Sequence, residues 1–88
     1  MAQLPPVKVP LNEWIDIYAE TGIPAGTQVI IHNNGDNLAI LSDSLTEPLP
    51  GSGYDNIKPN EFLTSTTTPD GVWVLSSRGT VLQVSEVV

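Results

Sequence analysis

The sequence predicts a small, mainly β protein: an antiparallel β-barrel or sandwich with one short N-terminal helix and an extended N-terminal arm. Three observations indicate this class. Short segments rich in Val, Ile and Leu alternate with polar residues, Gly- and Pro-rich stretches separate these segments, and only 15% of the residues are charged. The chain has 88 residues, the size of one domain.

The first ten residues, "MAQLPPVKVP", predict an extended, proline-rich arm (1–10) that precedes a single β-rich domain (11–88). Proline fixes φ and has no N–H, so three prolines in ten residues exclude a helix here. Such an arm can add a strand to the exposed sheet edge of a partner. We therefore predict that the partner contacts of the arm are made by Leu4, Pro5, Pro6, Val7 and Val9.

The segment from Leu11 to Gly22 predicts the helix. Residues with the helical spacing i, i+3, i+4 and i+7 form one apolar stripe, consisting of Leu11, Trp14, Ile15 and Tyr18. Asn12 is placed to cap the start of this helix. Gly22 can adopt the left-handed conformation that ends it.

The remaining segments predict five strands. "TQVIIHN" and "NLAILSD" flank "NNGD" and predict an antiparallel hairpin, because Asn, Gly and Asp favour tight turns and tolerate positive φ. Residues 43–60 hold three prolines and two glycines and predict a long surface loop. Three more strands are predicted from "EFLTSTT", "VWVLSS" and "TVLQVSEV", with the turn "SRG" joining the last two. In "VWVLSS" we expect Val72, Val74 and Ser76 to share one face.

Charge and composition exclude several classes of partner. Ten acidic and three basic residues give a net charge of −7, which disfavours nucleic acid and anionic membrane surfaces. No apolar run approaches the roughly 20 residues of a spanning helix, and the N-terminus lacks the apolar core of a signal peptide. The chain has no cysteine, so it has neither disulfides nor thiolate metal sites. We expect no nucleic acid and no membrane among its partners.

The segment "IIHNNGDNLAI" contains the only histidine, His32, and is the strongest candidate for a chemical site. A Ser-His-Asp site would need His32, but no G-x-S-x-G motif accompanies it. The oxygen-rich "NNGDN" lacks the spacing of a calcium loop. We therefore predict no catalytic, cofactor-binding or metal-binding residue, and interpret His32 as a residue on a strand face near a subunit contact. The protein is predicted not to be an enzyme.

Tyr54 is the best aromatic candidate for an intermolecular contact. The other aromatic residues, which fall in predicted elements, are interpreted as core residues. Tyr54 falls in the predicted Gly/Pro loop, where little core is available to it.

Two longer stretches carry a resemblance to a protein family. These are "LNEWIDIYAETGIPAGTQVIIHNNGDNLAILSDS" and, after the Gly/Pro loop, "GVWVLSSRGTVLQV". They resemble small virion proteins of tailed bacteriophages, in which a W-x-D-[IL]-Y helix leads into a "TGI-x-x-GT" turn and a "VWV" strand comes late. The resemblance covers roughly residues 11 to 85. Its motifs concern packing and turns and bring no catalytic residue.

The resemblance implies a non-enzymatic structural protein that decorates or cements the outer capsid surface or forms a head-fibre base. The implied partner is the major capsid protein or another virion protein, and a homotrimer is expected. The chain would be made in the host cytoplasm and assembled into the virion, on the head surface rather than the tail. The alternative is a tail- or fibre-associated module that binds a receptor or glycan through Tyr54.

Overall fold

The structure, a computed structural model, describes residues 6–48, 54–65 and 69–87. These residues form eight strands and one helix. Their bounds are β1 Val7–Val9, β2 Ile15–Asp16, α1 Ile17–Thr21, β3 Val29–Asn33, β4 Ala39–Asp43, β5 Asp55–Ile57, β6 Phe62–Thr64, β7 Val72–Leu75 and β8 Thr80–Glu86. The predicted mainly β class with one short helix is confirmed.

The strands form two four-stranded antiparallel sheets. The first sheet has the order β1-β8-β3-β6 and the second the order β2-β7-β4-β5. Residues from both sheets share one hydrophobic core, with Ile31 and Val84 from the first and Leu41 and Val74 from the second. The molecule is therefore a sandwich rather than a closed barrel.

The strand pairs show how the chain is wound. β1 pairs with β8, β2 with β7, β3 with β6 and β4 with β5. The first four strands thus pair with the last four in reverse order, as one long two-stranded ribbon. The ribbon is folded so that β8 also pairs with β3, and β7 with β4. This winding is a jelly roll, an arrangement of eight strands in two sheets.

The predicted hairpin around "NNGD" is wrong, and the "SRG" turn joins strands of different sheets. β3 and β4 lie in different sheets, and so do β7 and β8. Residues 34–38 and 76–79 therefore connect the two sheets instead of turning within one. A cluster of Asn, Gly and Asp shows that the chain bends, but it does not show whether the next strand joins the same sheet. The predicted loop 43–60 is also corrected, because it contains β5.

The predicted helix starts too early. Asp16, not Asn12, is its N-cap, and its carboxylate accepts a hydrogen bond from the backbone N–H of Tyr18 at 3.0 Å. Asn12 has a positive φ of 53°, and its N–H donates to the Ser76 carbonyl of the strand region beside it. Pairing with β7 holds the residues before Asp16 extended. The predicted end is confirmed, since Gly22 has a φ of 77°.

The part of the predicted arm that the structure describes belongs to the sandwich. Val7 and Val9 pair with Leu82 and Thr80 of β8 and are only 6% and 3% exposed. Their side chains therefore lie in the core of their own chain and not at a surface open to a partner. Pro6 is exposed, and Leu4 and Pro5 lie outside the described residues.

The later strands agree with the sequence pattern. β6, β7 and β8 fall within the three predicted segments. Val72, Val74 and Ser76 are all buried, whereas Trp73 and Leu75 are half-buried, so the predicted alternation in β7 is confirmed.

Tyr18 makes the stability of the fold sensitive to alkaline pH. The residue is buried, and its hydroxyl donates to the carbonyl of Thr27. Burial raises the pKa of Tyr18, and the negative charges of Asp43 and Asp16 add to this effect. Above about pH 10 the unfolded chain loses this proton while the folded chain keeps it. We expect the free energy of unfolding to be unaffected by this group below that pH and to fall above it.

Urea denaturation between about pH 8 and 11 measures this effect. The variant Tyr18→Phe, which has no hydroxyl to ionise, should lose part of the alkaline decline. An identical decline in wild type and Tyr18→Phe would show that other groups cause it.

Candidate partner-binding surface

The motif "HNNGDN" is built around a buried asparagine. Asn33 is 0% exposed. Its Nδ2 donates to the carbonyls of Asn37 and Ile57, both at 2.8 Å, and its Oδ1 accepts from the Gly35 N–H at 3.2 Å and the Thr80 hydroxyl at 2.7 Å. Ile57 belongs to the second sheet and Thr80 to the first. The Asn33 amide thus ties the crossover to both sheets.

The residues next to Asn33 do not have the positive φ angles that turn residues of this kind tolerate. None of residues 33–37 has a positive φ. Instead, Asn34 donates its N–H to the Val81 carbonyl at 2.8 Å, and Asn37 donates its side-chain amide to the Gly79 carbonyl at 2.7 Å. The crossovers 34–38 and 76–79 are therefore hydrogen-bonded to each other.

The burial of Asn33 fixes the direction of His32. Successive side chains of a strand point to opposite faces, and Ile31 and Asn33 both point into the core. His32 therefore points out of the sandwich. Its ring stacks on that of Phe62, which is opposite it on β6, with ring centroids 4.1 Å apart and planes 8° from parallel.

The stacked pair lies on a weakly charged surface, with His32 on β3 and Phe62 on the edge strand β6. We call the outward side chains of the first sheet the outer face; they are Lys8, Ile30, His32, Phe62, Thr64, Val81, Gln83 and Ser85. Lys8 is the only lysine or arginine among them, and none is acidic. A chain with a net charge of −7 thus has one sheet surface without a carboxylate.

Phe62 is the residue that sequence reasoning missed. It was expected in the core, yet its side chain is 68% exposed. The helpful signal was the alternation in "EFLTS", since an inward Leu63 requires an outward Phe62. Tyr54, the predicted contact residue, is 59% exposed, immediately before β5 of the second sheet. The two exposed aromatics therefore belong to different sheets.

A groove of about 690 Å³ opens beside β1. It is lined mainly by β1, the turn before β8 and residues of the 13–20 segment, including Lys8, Glu13 and Glu20. Thr80 supplies a hydroxyl there, but that hydroxyl donates to Asn33 and is not placed as a nucleophile. Within the described residues, no group of three or more His, Asp or Glu side chains could hold a metal ion.

Comparison with known proteins adds no relative. No protein-family model, no curated protein and no solved structure matches the chain. In the three described stretches, no helix has the length and apolar character needed to cross a bilayer.

Proposed function

We propose that the chain is a non-enzymatic structural protein of a tailed-phage virion, which attaches to the outer capsid surface as a decoration, cement or head-fibre-base protein. The observation that carries this proposal is the outer face. Apart from Lys8 it is a sheet surface of apolar and uncharged polar side chains that includes the stacked His32 and Phe62, on an otherwise acidic protein. Such a surface can be desolvated against a partner without burying a carboxylate.

The fold agrees with the proposal by analogy. Jelly rolls occur in capsid proteins, and also in lectins and cupins. The sequence resemblance to phage virion proteins favours the first of these uses. The major capsid protein or another virion protein is accordingly the proposed partner, and the proposed place is the head surface.

The structure changes which part of the chain is proposed to make the contact. The arm was predicted to bind the partner, but Val7 and Val9 are core residues of β1. Deleting the arm would remove a strand and so could not distinguish lost binding from lost folding. Phe62 is the better test residue, because an exposed aromatic anchor can be changed with little effect on folding.

Replacing Phe62 by Glu should abolish most attachment. The substitution removes the exposed aromatic ring of the outer face and puts a negative charge in its place, so occupancy on purified phage heads is expected to fall about ten-fold or more. Occupancy is measured by quantitative gel analysis of heads incubated with each variant and then sedimented. Thermal unfolding of each variant confirms that it is folded.

The matched control is Leu45→Glu. Leu45 is 77% exposed and lies between β4 and β5, away from the outer face. It receives the same charge, so its occupancy should equal that of the wild type. Equal occupancy for a folded Phe62→Glu variant would contradict the proposal.

The alternative function is a tail- or fibre-associated module that binds a receptor or glycan. Exposed Tyr54 favours it, because an aromatic ring open to solvent can stack on a sugar. In that case Tyr54→Ala should abolish adsorption to host cells while leaving incorporation into particles unchanged. Electron microscopy of labelled particles, which places the protein on head or tail, separates the two functions.

A further inference from the structure

The edges of the two sheets are not equally protected against pairing with another strand. An edge strand presents unpaired backbone groups, and proteins block such edges with proline, charged residues or very short strands. Four described strands lie at sheet edges: β1 and β6 in the first sheet, β2 and β5 in the second.

Two prolines and a lysine block the edge at β1. The Val81 carbonyl accepts from Asn34, so the backbone of Val81 faces β3, and its neighbours in β8 face Val7 and Val9. The backbone groups of Lys8 therefore point to the open side. Pro6 and Pro10, two residues to either side, point the same way and have no N–H.

The edges of the second sheet are also interrupted. β2 has only two residues and ends at Asp16, which caps α1. β5 has three residues, of which Asp55 is charged, and is followed at once by Lys58 and Pro59.

β6 is as short as β1 and β5, but no charged residue or proline lies within it to block pairing. It consists of Phe62, Leu63 and Thr64, without charge or proline. On the side that faces β3, the backbone carbonyl of Glu61 accepts from the Asn33 N–H, and the N–H of Ser65 donates to the Val29 carbonyl. Alternation then directs the backbone groups of Phe62 and Thr64 away from β3, where no other strand of the described residues pairs with them.

We propose that β6 pairs with β6 of a second copy of this chain, antiparallel and about a two-fold axis at Leu63. In this register Phe62 of each copy is opposite Thr64 of the other. The outward N–H and C=O groups of these two residues then form four hydrogen bonds between the copies. The first sheets of the two copies join into one continuous eight-stranded sheet.

The side chains on β6 suit this register. Phe62 opposite Thr64 is an aromatic and β-branched pair, a combination that stabilises antiparallel strands. Glu61 is opposite Ser65, so no two like charges face each other across the axis. The two outer faces also become continuous, with the His32–Phe62 stack of one copy beside that of the other.

The experiment is sedimentation equilibrium of the full chain over a range of concentrations. We expect a reversible monomer–dimer equilibrium in the wild type. Thr64→Pro removes the outward N–H from each copy, so two hydrogen bonds are lost and the dimer should dissociate about 100-fold more readily. The N–H of Thr64 does not pair with β3, so the Thr64→Pro monomer should stay folded. Circular dichroism checks that it does.

Two further variants keep the test decisive. Thr64→Val retains the N–H and the β-branched side chain and should dimerise like the wild type. Thr64→Lys gives β6 the protection that Lys8 gives β1 and should weaken the dimer without proline. A wild-type chain that stays monomeric, or that forms only trimers, would overturn the inference, as would a Thr64→Pro variant that dimerises normally. Hydrogen exchange adds a check, since the amides of Phe62 and Thr64 should become protected only as concentration rises.

Discussion

Replacing Asn33 by Ala is expected to destabilise the fold by about 3–5 kcal/mol. The side chain makes four hydrogen bonds in a fully buried position. Alanine leaves the Ile57 carbonyl and the Thr80 hydroxyl buried without this partner, and each such group costs about 1–3 kcal/mol. A domain of this size has a total stability of about 5–15 kcal/mol, so the loss is a large part of the total. Urea denaturation measures it.

Asn33→Asp tests the same hydrogen bonds with almost unchanged shape. An ionised carboxylate has no N–H for the carbonyls of Asn37 and Ile57 and would place a negative charge against both oxygens. Burial favours the neutral acid, which can donate one hydrogen bond, so this variant should be more stable near about pH 4 than near about pH 7.

The neighbouring Asn34 supplies the control for both variants. Its side chain is exposed, and Asn34→Ala should change the free energy of unfolding by no more than about 0.5 kcal/mol. If Asn33→Ala were as mild as Asn34→Ala, the amide would not be the structural link between the sheets.

The fold class could be predicted from local pattern, because alternation and turn residues are local properties. The alternation in "VWVLSS" predicted that Val72 and Val74 share one face, and both are buried in the structure. The winding could not be predicted in this way. In a jelly roll, strands that are neighbours in sequence lie in opposite sheets, and their pairing partners are distant in the chain, as Ile31 and Val84 are. The same Asn and Gly chemistry serves a hairpin turn and a crossover.

The candidate surface was only partly accessible from the sequence. The sequence predicted that His32 lies on a strand face, and Tyr54 stays a predicted contact residue that the structure shows to be exposed. The importance of Phe62 depends on its register with His32, which only the pairing of β3 with β6 reveals. For the arm, the sequence predicted an extended conformation but not the strand with which residues 7–9 pair. Its prolines indicate an extended segment, but extended chain pairs equally well with a partner and with its own sheet.

Gly35→Ala is expected to cost about 3 kcal/mol, although Gly35 does not have a positive φ. A Cβ at this position would lie 2.7 Å from the backbone nitrogen of Val81 and would overlap the Thr80 hydroxyl. That hydroxyl is held by Asn33, and the Asn34 N–H donates to the Val81 carbonyl, so neither neighbour can withdraw without breaking a hydrogen bond. The crossover would have to move away from β8.

The comparison that isolates this steric effect is Gly26→Ala. Gly26 has a φ of +90°, but a Cβ there would meet nothing within 4 Å. Its cost is therefore only that of a left-handed backbone, about 1–2 kcal/mol. Denaturation of both variants should give the larger loss for Gly35→Ala. The opposite order would mean that the crossover 34–38 can shift freely, and that its close contact with β8 does not hold it in place.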